Sequence, residues 1–193
     1  MSGRDWSPLI STGDIRDLSR FEAGGFDAAL AMRPFYHLID AHERLTAAQE
    51  LFRVLRPNGQ AFISIIPRLS GLAGLVQRCA IDPEQVPPDV LERVATTGVF
   101  VNPTDRGFQH GYFPEISDIE ALFAAVGFEK LDLFSIRGIA FGSESELERI
   151  GELSPPSAAA FGDALEATSR LEAVVAMSGH AILAIRRPSS DAD

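Results

Sequence analysis

Two predominantly apolar runs, Phe26-Asp-Ala-Ala-Leu-Ala-Met32 and Gln60-Ala-Phe-Ile-Ser-Ile-Ile66, with one amphipathic stretch between them, restrict this chain more than any other feature. Runs of this length without alternation of apolar and polar residues suit strands covered on both faces, the situation inside a parallel sheet. From Asp40 to Arg56, Leu45, Ala48, Phe52 and Leu55 recur at helical spacing among Glu43, Arg44, Gln49, Glu50 and Arg53. Asp40 can serve the first free amides as an N-cap, and Pro57-Asn58-Gly59 supplies the turn chemistry that ends such a helix. A strand, crossover helix and strand of this size form one right-handed parallel unit. The expected class is therefore α/β, with a mostly parallel sheet and helices on both faces.

Between residues 67 and 112, Pro83, Pro87, Pro88 and Pro103 interrupt short apolar pieces, which predicts an irregular, partly helical insertion over the sheet edge. Ser117 and Glu120 have capping-box spacing ahead of a helix that should stop at Gly127, and Ser143 and Glu146 repeat that spacing. Leu131–Ile136 reads as a third strand. Ser154-Pro155 resembles an N-cap followed by proline, and Ala158 to Met177 reads as one long helical stretch. His180–Ile185 is the last strand. Residues 1–187 thus form a single domain, and residues 188–193 a polar tail expected to be disordered.

Composition narrows the function. With 27 acidic and 17 basic residues the net charge is -10, which argues against a polyanion as main ligand, so nucleic acid is not expected. No apolar run approaches the roughly 20 residues that span a bilayer, and no membrane role is expected. The single cysteine, Cys79, has no internal partner, and the opening residues lack the layout of a secretion signal, so a cytoplasmic protein is expected. Cys79 sits among Val76, Ala80 and Ile81 as a small core residue. No spacing of cysteines or histidines suggests a metal.

The residues with chemical potential are few. Gly13 and Asp14 precede the first apolar run by a short linker; Asp14 can accept from the amine of a purine and the Ile15 amide can donate to a ring nitrogen, or the segment is simply a solvated turn. His37 has an ordinary pKa near neutrality and suits a general base, or else opens a helix bonded to backbone. Tyr36 beside it is either its partner or an aromatic lid. His180, at the start of the last strand, is read as structural.

The order Gly13-Asp14-Ile-Arg-Asp-Leu18, Gly25-Phe26-Asp27-Ala-Ala-Leu30, Pro34-Phe35-Tyr36-His37-Leu38, Arg53-Val-Leu-Arg-Pro-Asn-Gly59 resembles the later motifs of class I S-adenosylmethionine-dependent methyltransferases, closest to the small-molecule, type 11-like branch. The resemblance continues through Thr97-Gly98, Gly111-Tyr112-Phe113 and Ser178-Gly179-His180. It implies a Rossmann-like sheet whose last strand is antiparallel, S-adenosylmethionine as cofactor and a small-molecule methyl acceptor. By position it implies adenine contacts at Asp14 and Ile15, a backbone segment at Met32 and Arg33 along the methionyl portion, and catalytic roles for His37 and Tyr36. Tyr112 and His110 correspond to acceptor contacts, although Pro114 stands where the family pattern carries a histidine.

The glycine-rich cofactor loop and the acidic ribose-binding residue of such folds have no counterpart here, and the 13 residues ahead of Asp14 are too few for two strands and two helices. The expectation is a partial fold with its first strands missing, weak or inactive toward the cofactor by itself, and prone to self-association or partner binding through an exposed sheet edge. A catalytically silent methyltransferase-like partner subunit is the alternative. A dehydrogenase remnant is a third reading, for which no hydride-transfer site is recognisable.

Overall fold

The computed structural model describes residues 11–189. The strand–helix–strand unit is present: β1 (Phe26–Ala31), a short α1 (Pro34–His37), α2 (Ala41–Val54) and β2 (Leu55–Ile65), with β1 and β2 parallel. Asp40 caps α2 by accepting from the His42 and Glu43 amides. The helix ends at Val54, two residues earlier than the periodicity predicts. Phe26 pairs with Leu55 but Ala28 pairs with Gln60, so Arg56–Gly59 form a bulge within an extended segment, with Asn58 at φ 63°. Arg187 holds this junction by donating to the carbonyls of Phe52, Arg53 and Leu55 at 3.1, 3.4 and 2.7 Å, a cation placed where the carbonyls of a helix end are free.

Next come α3 (Arg68–Ile81), a 3-10 turn at Pro83–Gln85, α4 (Pro88–Thr97) and the antiparallel pair β3 (Val99–Val101) and β4 (His110–Tyr112). The chain continues with α5 (Ile116–Val126), β5 (Glu129–Ser135), a 3-10 turn at Gly138–Ala140, α6 (Glu144–Leu153), α7 (Pro155–Thr168), α8 (Glu172–Met177) and β6 (Ala181–Arg186). The main sheet has the order β1-β2-β6-β5, with β6 antiparallel to both of its neighbours. β1, β2 and β5 therefore run one way and the last strand runs the other, as expected.

Three local expectations are corrected. Ser117 lies inside α5, whose N-cap is Glu115, and neither it nor Ser143 makes a capping bond. The stretch 158–177 is two helices: Thr168 and Ser169 turn their hydroxyls onto the carbonyls of Ala164 and Glu166, at 2.7 and 2.8 Å, and Leu171 is extended. Hydroxyls that compete for helix carbonyls in this way favour a stop. Finally, the β1 run is not covered on both faces. Among the described residues β1 pairs only with β2, and Leu30 is 71% exposed. Gly127, at φ 106°, does end α5. Residues 190–193, most of the expected tail, lie outside the described residues.

Two cores result. The first lies around the sheet, where Ile63, Ile65, Leu183 and Ile185 in the paired central strands meet Phe35, Leu51, Phe123 and Val175 from the helices. Each of these side chains is 0–3% exposed, and burial of one stabilises the fold by about 1.5–3 kcal/mol. The second belongs to the segment between β2 and α5, built from Leu75, Val86, Val90, Val94, Phe100 and Phe113. That segment meets the rest of the fold through α1 and α8, and the Ser70 hydroxyl accepts from the Gly179 amide at 2.8 Å.

Candidate functional site

The carboxyl end of β1 organises the candidate site. Met32 is exposed, and Arg33 turns the chain into α1 with φ 155° and ψ -31°, a conformation that side-chain-bearing residues rarely adopt. Such strain persists only where the surroundings impose it, and it gathers at functional positions. Two concavities meet here. Pro34 and Ala31 border an apolar groove of about 270 Å³ that also takes in Ile15, Phe21 and Leu30. Arg33 borders a cavity of about 420 Å³ on the other side.

The Asp14 turn stands at the groove. The Asp17 amide donates to the Asp14 carbonyl at 3.1 Å, and the Asp14 carboxylate accepts from the Arg16 amide (2.9 Å), Nε (3.0 and 3.1 Å) and a terminal nitrogen (2.6 Å). Arg16 also pairs with Glu43 at the start of α2, which ties the turn to the helix. These bonds, side chain before backbone, hold the Asp14 carboxyl well below its usual range, at about 2. The group is an anion at neutral pH. The amide, Nε and terminal nitrogen of Arg16 make four contacts to the carboxylate, about as many as it has acceptor directions, so a ligand donor would share or displace one of them.

The cavity stands behind α1. Tyr36 is buried and His37 exposed, their rings 4.7 Å apart at 47°. His37 lies 5.5 Å from the Phe108 ring and 6.3 Å from His110, and the Tyr36 ring lies 6.0 Å from His180. Burial first, then the charges of His110 and Arg33, push His37 below its ordinary pKa. Burial, Arg137 and Arg33 do the same to His180, and burial raises Tyr36. A histidine held neutral in this way can accept a proton near pH 7.

The sequence-derived candidates thus fall into two neighbouring sets. Asp14 and Ile15 lie at the groove side; Arg33, Tyr36 and His37 line the cavity. Exposed His110 approaches His37, but Tyr112 is buried on β4 beneath the Arg44 guanidinium, 3.6 Å from the ring centroid, away from the cavity wall. Sequence reading missed Arg78, Phe108, Phe113 and Arg137 as wall residues and gave His180 only a structural part. No local pattern in the sequence points toward them, because they come from separate segments that meet only in the fold.

Residues 3–63 match the family model of a methyltransferase domain. No curated protein matches the sequence. Among solved structures, the fold resembles a SAM-dependent methyltransferase of Methanosarcina mazei (14% identity, TM-score 0.55, covering 92% of this chain and 66% of that one). It also resembles a methyltransferase of Mesorhizobium loti (12%, 0.50, 96% and 72%) and one of Haloferax volcanii solved in complex with a methyltransferase activator (15%, 0.50, 94% and 61%). The chain thus spans about two thirds of the length of these structures. The fold is the Rossmann-like α/β fold of S-adenosylmethionine-dependent methyltransferases. The match covers the first third of the chain, and the likeness over the rest is one of fold.

An ionised carboxylate, Asp14, thus immediately precedes Ile15 on the wall of an apolar groove, the donor and acceptor set that the purine end of S-adenosylmethionine would need. No helix among the described residues is long and apolar enough to cross a membrane.

Proposed function

We propose that the chain supplies the purine-binding turn and the acceptor cavity of a methyltransferase acting on a small molecule. The observation that carries this reading is the junction at Arg33-Pro34, where consecutive residues border the cavity and the groove, so that ligands in the two would approach each other at one strand end. Asp14 and the Ile15 backbone hold the adenine, and Met32-Arg33 lie along the methionyl portion. When bound, S-adenosylmethionine supplies a methyl group activated on a sulfonium. His37, neutral at physiological pH, takes the proton of an acceptor hydroxyl or amine, and Tyr36 walls the cavity beside it. Tyr112 and His110 act on the acceptor side, Tyr112 through the placement of β4. The single cysteine suits a reducing compartment, and the protein acts in the cytoplasm.

By itself the chain binds the cofactor weakly, because the turn and one strand end are the described contacts. Roughly millimolar dissociation, ~4 kcal/mol, is what an adenine ring and one charge-assisted bond provide. Titration of S-adenosylhomocysteine followed by NMR should show this, and Asp14→Ala should abolish it. Low-micromolar binding, or binding untouched by D14A, refutes the reading.

A second reading rests on β1. Its apolar composition is that of an interior strand, yet Leu30 is 71% exposed and the outer edge has no partner among the described residues. A catalytically silent subunit that docks on another methyltransferase chain through this edge uses that surface directly. Light scattering separates the two readings: a homogeneous dimer or hetero-oligomer that Leu30→Lys dissociates favours the silent subunit, and a monomer favours the enzyme.

A further inference from the structure

Fifteen residues line the cavity behind α1, and they include Arg33, Arg78 and Arg137, two histidines and no aspartate or glutamate. This runs against the chain as a whole, which carries 27 acidic residues against 17 basic ones. The charges inside are also poorly compensated. Arg137 has a carboxylate, Glu144, at 2.7 Å, but Arg78 donates only to the neutral Gln85 side chain at 2.9 Å. Arg33 lies on the same wall, which offers it no carboxylate. The remaining wall is apolar and aromatic, with Phe108 stacked on Phe100 at 5.8 Å and the Arg78 guanidinium 5.8 Å from the Phe108 ring. Both histidines also feel the surplus: after burial, which lowers each of them most, His110 and Arg33 lower His37 further, and Arg137 and Arg33 lower His180.

We infer that the acceptor taken by this cavity is a small aromatic or apolar acid, whose carboxylate or phosphate lies against Arg33 and Arg78 while its ring lies against Phe108. Guanidinium groups present planar, paired donors that match these anions, and an anion neutralises the two cations that lack a carboxylate. A volume of about 420 Å³ is that of a small-molecule site. The inference deepens the methyltransferase reading and rests on it for the word acceptor, but the charge preference of the cavity can be measured without any cofactor.

The test uses the full chain and three probes, benzoate, phenyl phosphate and benzamide, with binding followed by ligand-observed and protein-observed NMR. At least one of the two anions should bind ten-fold or more tightly than the neutral isostere, and which one does so tells carboxylate from phosphate. Arg33→Gln and Arg78→Gln should each reduce that anion to the level of benzamide, while Arg33→Lys retains most of the difference and Arg149→Gln, an exposed position outside the cavity, retains all of it. Raising NaCl from 50 to 500 mM should weaken the anion and leave benzamide unchanged, a readout that survives if R33Q fails to fold. Benzamide binding as well as both anions, or anion binding indifferent to R78Q and to salt, overturns the inference. If S-adenosylhomocysteine binding fails while the anion preference holds, the cofactor reading falls and the cavity assignment stands. If cofactor binds and only neutral acceptors are methylated, this inference alone falls.

Discussion

Gly98→Ala is the substitution whose cost the structure fixes most closely. Gly98 ends α4 with φ 73°, donates to the Val94 carbonyl at 2.9 Å and accepts from the Phe113 amide at 2.8 Å. A methyl group there would lie 2.1 Å from the Phe113 carbonyl oxygen, against an ordinary contact of 3.4 Å or more. The left-handed backbone costs an alanine about 1–2 kcal/mol, and opening an overfilled contact costs about 1–3 kcal/mol more. The sum is roughly 2–5 kcal/mol, which in a domain of this size lowers the melting temperature by about 5–15 °C. Two controls separate the terms. Gly142 has φ 86° with nothing within 4 Å of the added atom, so Gly142→Ala should lose only the backbone term, about 3–6 °C. Gly162, inside α7 and equally open, should gain about 0.5–1 kcal/mol on conversion to alanine. Differential scanning calorimetry of the three variants gives the order directly. Equal melting temperatures for G98A and G142A would refute the claim that the approach of Phe113 sets the cost.

Phe123→Ala, which empties the space between Phe35 and Phe128 at 5.1 and 5.8 Å, should lower the urea midpoint by an amount equivalent to about 3–5 kcal/mol. Arg187→Met keeps the packing of the alkyl chain on Phe52 and loses three bonds to carbonyls, a loss of about 1.5–3 kcal/mol by the same assay. His37 and His180 both titrate below 6.5 when folded, so the unfolded chain binds more protons in the window just under that value, and stability falls as pH drops through it. Urea midpoints between pH 7.5 and 5.5 should show the slope, and His37→Asn with His180→Asn should flatten it; Asp14 titrates near 2 and does not contribute in this range.

What could be read from the sequence was what short-range chemistry decides. The β1–α2–β2 unit followed from apolar runs and one periodic face, Asp40 from its side chain and Gly127 from its lack of one. The Arg56–Gly59 bulge was not legible, because it depends on Asn58 donating to the Arg187 carbonyl from the far end of the chain. The break at residues 169–171 was hidden by a run of good helix formers, since it turns on which carbonyls two hydroxyls choose. The Asp14, Tyr36 and His37 candidates came from resemblance in order and spacing. The cationic wall did not, because Arg33, Arg78 and Arg137 are brought together only by the packing of α1, α3 and the loop after β5.

The separate packing of the segment between β2 and α5 has an evolutionary corollary. Because Phe100, Val94 and Leu75 pack with Val86, Val90 and Phe113 in a cluster apart from the main sheet, replacements among them redraw the chamber while the scaffold keeps its own stability reserve. Descendants of such a chain can therefore explore new ligands at low risk of collapse, and libraries confined to residues 68–113 are the economical place to change what the molecule accepts.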